Sequence, residues 1–381
     1  MRSNEDILNE IHHAKTHSPS AKKVFRNAVK QYCTQQQSNL DQLIKEADTE
    51  EDQRIRWRDR KLKQRLLSFR QHLIKNYKKN TVQSYFNSIK SIYQFYEIEI
   101  GDLPSLNLKS VNTPEPINYV DLPTKDIIKK ALKIADPRMK AIILFMSSSG
   151  CAKKETLSLT IQDFIDATNE YHNANDIYEV IHQLKDRDDI IPMFRLKRQK
   201  TNKYYYTFCS PEAVQAIILH LLKVDQELKK DEKLKPEDKL FPIHEDYVTM
   251  LFIELNNTLK LGKKGTYNRL RSHMLRKFHA SRLYNDGLTL DEVDALQGRS
   301  KDSTHSAYFM ENPKHLKEKY IQHLDCITIN MDVNNLDIKS PEFVKLENEN
   351  SILKSELGKM DDIMERLNKL ERKSDVDSQI S

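Results

Sequence analysis

The sequence predicts a mainly α protein with a small β-sheet, an α+β chain. Apolar residues recur at three-to-four spacing in most patterned segments, and the period drops to two only around residues 190–208. Glycine is also scarce, at seven in 381 residues, where the usual share of about 7% would give roughly 25. Architectures built on repeated glycine turns, such as dinucleotide-binding and P-loop folds, are disfavoured.

At 381 residues the chain suits two domains with extensions, on a prior of roughly 100–200 residues per domain. Residues 1–50 read as a polar helical extension. An Arg-rich helix from about Arg54 to Lys75 follows. Val82, Phe86, Ile89, Ile92, Tyr93 and Tyr96 then fall at helical spacing after an Asn80-Thr81 cap, so 51–112 reads as a helical bundle. The stretch Leu103 to Thr124 holds four of the twelve prolines and reads as a linker.

Beyond it, in a unit over 113–336, Thr124 caps a helix to about Ile134. A second helix, Arg138 to Met146, ends at Ser147-Ser148-Ser149-Gly150. Ile190–Arg198 and Tyr204–Phe208 read as strands joined by a polar turn through Lys200, Thr201, Asn202 and Lys203. Ser210-Pro211-Glu212 opens the next helix with a cap, an N1 proline and an acidic first turn. In the tail, 337–381, Phe343, Leu346, Leu353, Leu357, Met360, Met364 and Leu367 occupy a and d positions, with Asn350 at one a site. That pattern predicts a self-associating coiled coil, the alternative being a helix folded back on its own domain.

Lys plus Arg number 62 and Asp plus Glu 56, a net charge of +6. The tail from Asp337 has eight basic and eleven acidic residues, net −3, so residues 1–336 carry +9. From Glu51 to Glu115 there are thirteen basic and seven acidic residues, with a run at Arg54, Arg56, Arg58, Arg60, Lys61, Lys63 and Arg65. Such a body suits a polyanionic partner; a solvated charged helix face is the alternative. Four dispersed cysteines without a C-x-x-C pair suggest a reduced, intracellular setting. The longest apolar run, Ala141 to Met146, is six residues where a membrane span needs about 20, so no membrane is expected.

H-E-x-x-H, G-x-x-x-x-G-K, G-x-G-x-x-G and paired cysteine ligands do not occur, and no cofactor or metal is expected. His12, His13 and His17 read as solvated, and Asp186, Asp188 and Asp189 as loop acids rather than a two-metal site.

Chemistry concentrates in Ser272–Phe309. His273 precedes Arg276 by three residues, Gly298-Arg299 follows with Arg299 23 residues after Arg276, and Tyr308 stands nine further on. Each element alone is weak. The ordered set resembles the C-terminal motif of tyrosine recombinases, the phage-type and archaeal integrases, in which H-x-x-R precedes a Gly-His or Gly-Trp pair and a nucleophilic Tyr. Ser148-Ser149-Gly150, Glu155 and Leu157-Ser158-Leu159 resemble the family's first arginine box. There Ala152 stands at the commonest arginine position and Lys153 at the position shifted by one in archaeal versions. Lysine keeps the charge but lacks the planar bidentate fork. The hairpin resembles the strand pair bearing the family's catalytic lysine, with Lys200 at the K-T position and Lys203 its rival, and Arg299 replaces the usual His or Trp.

The resemblance spans Ser147 to Leu324 and implies a helical core-binding domain, a catalytic domain and site-specific recombination through a 3′-phosphotyrosyl intermediate without ATP or metal. Tyr308 would be the nucleophile, with Arg276, Arg299 and Lys153 balancing phosphate charge, His273 holding phosphate or moving the tyrosine proton, and Lys200 protonating the departing 5′-hydroxyl. It also implies double-stranded DNA with a specific attachment site as partner, four protomers on DNA, and a cytoplasmic, nucleoid-associated prokaryotic setting. Arg54, Arg56, Arg58, Arg60, Lys75, Lys78 and Lys79 would meet phosphates, and Asn80 and Gln83 base edges. Leu316, Tyr320, Ile321 and Leu324 would form a helix packing either on a neighbouring protomer or on its own domain. The alternatives are a catalytically weakened DNA-binding relative and a type IB topoisomerase-like enzyme.

Overall fold

Apolar faces sort the chain into two units that meet in sequence between Pro116 and Ile117. The computed structural model describes residues 2–105, 116–200, 202–229, 232–299 and 312–329. The expected coiled coil and Tyr308 lie outside the described residues.

The first unit is helical: α1 (Asn4–Ala14), α2 (Pro19–Gln36), α3 (Leu40–Asp52), α4 (Lys61–Asn76) and α5 (Lys79–Phe95). Side chains of Ser3, Ser18 and Asn39 cap the first three by accepting a backbone N–H. Ile7, Leu8 and Ile11 of α1, Phe25, Val29 and Tyr32 of α2, and Leu43 and Ala47 of α3 enter the same core as Leu66, Phe69, Phe86 and Ile89 of α4 and α5. Residues 1–50 therefore build the bundle. The hydroxyls of Tyr32 and Tyr93, both fully buried, lie 2.9 Å apart in its centre.

The Arg-rich helix begins later than the sequence predicts. Arg54 takes a left-handed backbone with φ 55, a short 3-10 turn covers Trp57–Asp59, and α4 starts only at Lys61. The Glu50 carboxylate accepts the N–H groups of Lys61 at 2.8 Å and Leu62 at 3.3 Å, so a side chain from the preceding helix sets that start. Asn80 and Thr81 lie inside the first turn of α5, whose N-cap is Lys78.

In the second unit α6 (Lys125–Ile134) follows its expected cap, Thr124, and α7 (Pro137–Ser149) is capped by the side chain of Asp136, which the sequence reading did not single out. Then come α8 (Lys153–Ser158), α9 (Ile161–Ala167), α10 (Ile177–Leu184), the hairpin β1 (Met193–Arg198) and β2 (Lys203–Phe208), α11 (Pro211–Glu227) and α12 (Glu245–Thr258). A two-residue pair, β3 (Lys263–Lys264) and β4 (Tyr267–Asn268), leads into α13 (Ser272–Asp286) and α14 (Leu290–Leu296); α15 (Pro313–Gln322) and α16 (Leu324–Ile327) close the described chain. The first strand starts after Pro192, which lacks a ladder donor. β1 and β2 pair antiparallel, Met193 opposite Phe208 and Arg198 opposite Lys203.

Helix α7 is the central rod, buried from Ala141 through Ser149 and packed by α11 and α13. Leu316, Tyr320 and Ile327 sit in this same core, and the Tyr320 hydroxyl donates to the Ser148 carbonyl at 2.9 Å, so α15 packs on its own unit. The described chain is mainly helical with two small two-stranded sheets, the class the sequence predicts. Among the described residues no helix is long and apolar enough to cross a membrane.

Candidate active site

The end of α7 shapes the site. Gly150 takes φ +66, and a Cβ there would stand 2.5 Å from His279 Nδ1 and 2.8 Å from Gln297 Nε2, so glycine alone permits this approach of α13 and the α14 turn. Five residues on, Glu155 folds back: its Oε2 accepts the Ala152 N–H at 3.0 Å and the Tyr205 hydroxyl at 3.0 Å. Burial pushes the Tyr205 phenol far above its usual value. The first box is thereby tied to β2.

Helix α13 places His273 and Arg276 three residues apart and hence on one side. His273 is exposed and Arg276 is buried. The Arg276 guanidinium donates from Nη1 to the Gly150 carbonyl at 2.6 Å and from Nη2 to the Gln297 carbonyl at 2.7 Å, with the Glu155 carboxylate 3.8 Å away. One side chain thus joins the first box, the H-x-x-R helix and the Gly298-Arg299 turn. Gln297 Nε2 donates back to the Arg276 carbonyl at 3.0 Å and lies 3.0 Å from His279 Nδ1.

Arg299 is exposed at that turn and pairs with Asp294 at 3.1 Å. Desolvation lowers the His273 pKa, and the charges of Arg271, Lys277, Arg276 and Arg299 push in the same direction, so its imidazole is neutral at pH 7. Lys277 is also lowered, by desolvation and then by Arg271 and Arg299. Cations thus crowd one end of α13, as an anion site requires.

Lys153 stands apart from this group. Its Nζ lies 2.7 Å from Thr249 Oγ1 and 3.2 Å from both the carbonyl and the carboxylate of Glu245, on α12. Lys200 is exposed in the connection after β1, and Lys203 is exposed at the start of β2. The sequence reading missed Arg198, whose Nη1 donates to the Gly298 carbonyl. A signal was present: two-residue alternation puts Arg198 on the face of buried Phe194 and Leu196, while Arg195 and Lys197 point outward. Tyr205 and Gln297 were also missed, being uncharged partners of the cations sought, and Glu155, quoted only as part of the first box, proves to be a partner of both Tyr205 and Arg276.

On the first unit Arg54, Arg56, Arg58, Lys75, Asn80 and Gln83 are exposed, and Lys78 and Lys79 are half-buried. Arg60 is a correction to the predicted DNA face. It is 8% exposed, donates from Nε to the Ile55 carbonyl at 2.9 Å and pairs with Glu51 at 3.5 Å, because it must pin the turn before α4. Asp189 is gripped by both ends of Arg187, at 2.9 and 2.7 Å, an ordinary loop ion pair.

The sequence model of the phage integrase family matches residues 123–315, just over half of the chain and the whole of the site described here. The chain belongs to the phage integrase family, that of the tyrosine recombinases. No curated protein sequence matches it. Solved structures similar in fold include a XerA recombinase, 17% identical over 84% of this chain and 97% of that one, with TM-score 0.34. Others are a lambda integrase dimer bound to a COC' core site (11%, 82% and 99%, TM-score 0.48) and the Tn1549 transposon integrase with circular intermediate DNA (12%, 84% and 98%, TM-score 0.45).

Proposed function

We propose that the chain is a site-specific DNA recombinase of archaeal integrase type that cleaves and rejoins duplex DNA through a 3′-phosphotyrosyl intermediate, without metal or ATP. The observation that carries this reading is the Arg276 guanidinium, which bonds Gly150 and Gln297 at once and so gathers the family's boxes around one buried cation. In the first step the Tyr308 oxygen attacks phosphorus and the P–O5′ bond breaks. The tyrosine proton leaves through His273, neutral and able to accept it, and Lys200 gives a proton to the departing 5′-oxygen. Arg276 and Arg299 balance the added charge on the non-bridging oxygens. The phosphotyrosine is itself a phosphodiester, so a new 5′-hydroxyl reverses the step without an energy source.

On this reading the N-terminal unit grips the attachment site through Arg54, Arg56, Arg58, Lys75, Lys78 and Lys79, with Asn80 and Gln83 at base edges. Four protomers act together on two duplexes, aided by the coiled coil of 337–381, in an integrase carried by a mobile element and acting at the prokaryotic nucleoid.

The test uses a duplex selected by the wild-type chain from a randomised pool for covalent retention. The covalent complex forms with wild type and is lost in Tyr308→Phe; its persistence in that variant removes Tyr308 from the mechanism. A second reading, a DNA-binding relative that does not cut, is favoured by Lys153 being held by Glu245 and Thr249. Binding to duplex with no cleavage of any nicked suicide substrate would select it, and plasmid relaxation without strand exchange would select a topoisomerase.

A further inference from the structure

The site lacks a guanidinium at the first box, where Ala152 and Lys153 stand, and Lys153 reaches α12 instead. We infer that Arg198, carried on β1, supplies the second guanidinium that holds the scissile phosphate. This rests on the reading of the chain as a phosphodiester-cleaving recombinase.

Three observations place it there. Arg198 bonds the carbonyl of Gly298 while Arg276 bonds the carbonyl of Gln297, so two guanidinium groups end on consecutive carbonyls of one turn. That turn is closely packed: Gly298 takes φ +58 against the Tyr205 ring, and the next residue is Arg299. Arg198 is half-buried, and the charge of Arg198 acts on Arg276 directly.

The second observation is the partner each cation lacks or has. Arg276 faces Glu155, Arg299 faces Asp294 and Arg187 faces Asp189. Arg198 has no carboxylate partner among the described residues; its hydrogen bond goes to a neutral carbonyl. Two guanidinium groups brought together in a partly desolvated site repel unless an anion joins them. A guanidinium offers five N–H donors and one is engaged, so others remain for two phosphate oxygens.

The third is strand geometry. Arg195 and Lys197 leave the opposite face of β1 and lie over the Tyr204 ring, at 4.3 and 5.6 Å from its centroid. Alternation therefore singles out Arg198, among the cations of β1, as the one turned toward the α14 turn.

The experiment has two arms, both on the full chain. In the first, the selected duplex is compared with the same duplex carrying a methylphosphonate at the cleaved position, which removes one non-bridging charge. Arg198→Ala is expected to slow covalent-complex formation about 10²-fold or more on the ordinary duplex, the loss typical of one charge-stabilising donor, with Arg198→Lys between. On the methylphosphonate duplex the variant should come within a few-fold of wild type. Equal loss on both duplexes, or none on either, overturns the inference, the first marking Arg198 as a tie between hairpin and turn.

In the second arm, inorganic phosphate is titrated into histidine-labelled protein and the His273 resonance followed, His273→Gln providing its assignment. Arg198→Ala should raise the apparent Kd about tenfold, and Lys153→Ala should leave it unchanged. An unchanged Kd in Arg198→Ala overturns the assignment whether or not DNA is cut. Wild type that never cleaves but binds phosphate through Arg198 retires the recombinase reading and leaves the anion site standing.

Discussion

Gly298 and Tyr205 fit together so closely that a Cβ on the glycine would lie 2.5 Å from Tyr205 Cδ1 and 2.6 Å from Cγ. The phenol ring is buried and its hydroxyl is held by Glu155, so the ring has nowhere to retreat. The left-handed φ of +58 adds backbone strain to any side chain placed there. Gly298→Ala should therefore cost about 2 kcal/mol or more in urea unfolding. In a Tyr205→Ala background the same change should cost markedly less, and equal costs in both backgrounds would refute the contact.

Glu155 joins three groups: the Ala152 N–H, the Tyr205 hydroxyl and, at 3.8 Å, the Arg276 guanidinium. Glu155→Gln leaves Arg276 without its buried counter-charge. A loss of about 3 kcal/mol in stability is expected, measured by urea midpoint at pH 7.

Acid should weaken the catalytic unit through two buried histidines. Burial lowers His220 to about 4 and His279 to about 3. Both stay neutral in the folded chain while the unfolded chain takes up protons from near pH 6.5 downward. Stability is therefore full above pH 6.5 and falls steadily toward pH 4, by up to about 1.4 kcal/mol per pH unit for each histidine. His220→Gln keeps a donor for the Leu240 carbonyl, now 3.1 Å from Nε2, and should flatten the slope of unfolding midpoint against pH over that window. An unchanged slope would count against the assignment.

In the N-terminal unit, Tyr32→Phe strands the Tyr93 hydroxyl in an apolar centre. About 1–3 kcal/mol should be lost. The double change to Phe at both positions should recover most of it, since neither ring then buries an unpaired polar group. Thermal unfolding of the three variants decides.

Lys153→Ala should lose less than tenfold in cleavage, against about 10²-fold or more for Arg276→Ala, because the Lys153 ammonium already has Thr249 and Glu245 as partners. Comparable losses would return Lys153 to the phosphate.

The sequence makes the helix ends and the order of the boxes legible. Thr124, Gly150 and the three-residue step from His273 to Arg276 depend on local rules, and local rules survive into the structure. What eluded it is set across distance. The start of α4 is fixed by Glu50, eleven residues upstream; Arg60 looks like its exposed neighbours until Ile55 and Glu51 close on it. Arg198 differs from Arg195 and Lys197 only in which face of the strand it occupies. Ile7, Leu8 and Ile11 show helical spacing, yet polar neighbours obscure that they complete a core with α4 and α5. The family match at 123–315 covers the stretch that holds these boxes.

Cys151 lies next to Gly150, wholly buried, with its sulfur 3.6 Å from the Tyr205 hydroxyl, and burial pushes its thiol up to about 11. A thiol so protonated and enclosed reacts with alkylating reagents only when the surrounding structure opens. The chain thus carries an internal clock: the rate at which Cys151 is trapped by a reagent reports how often the junction of α7, β2 and α13 breathes, with no foreign dye attached.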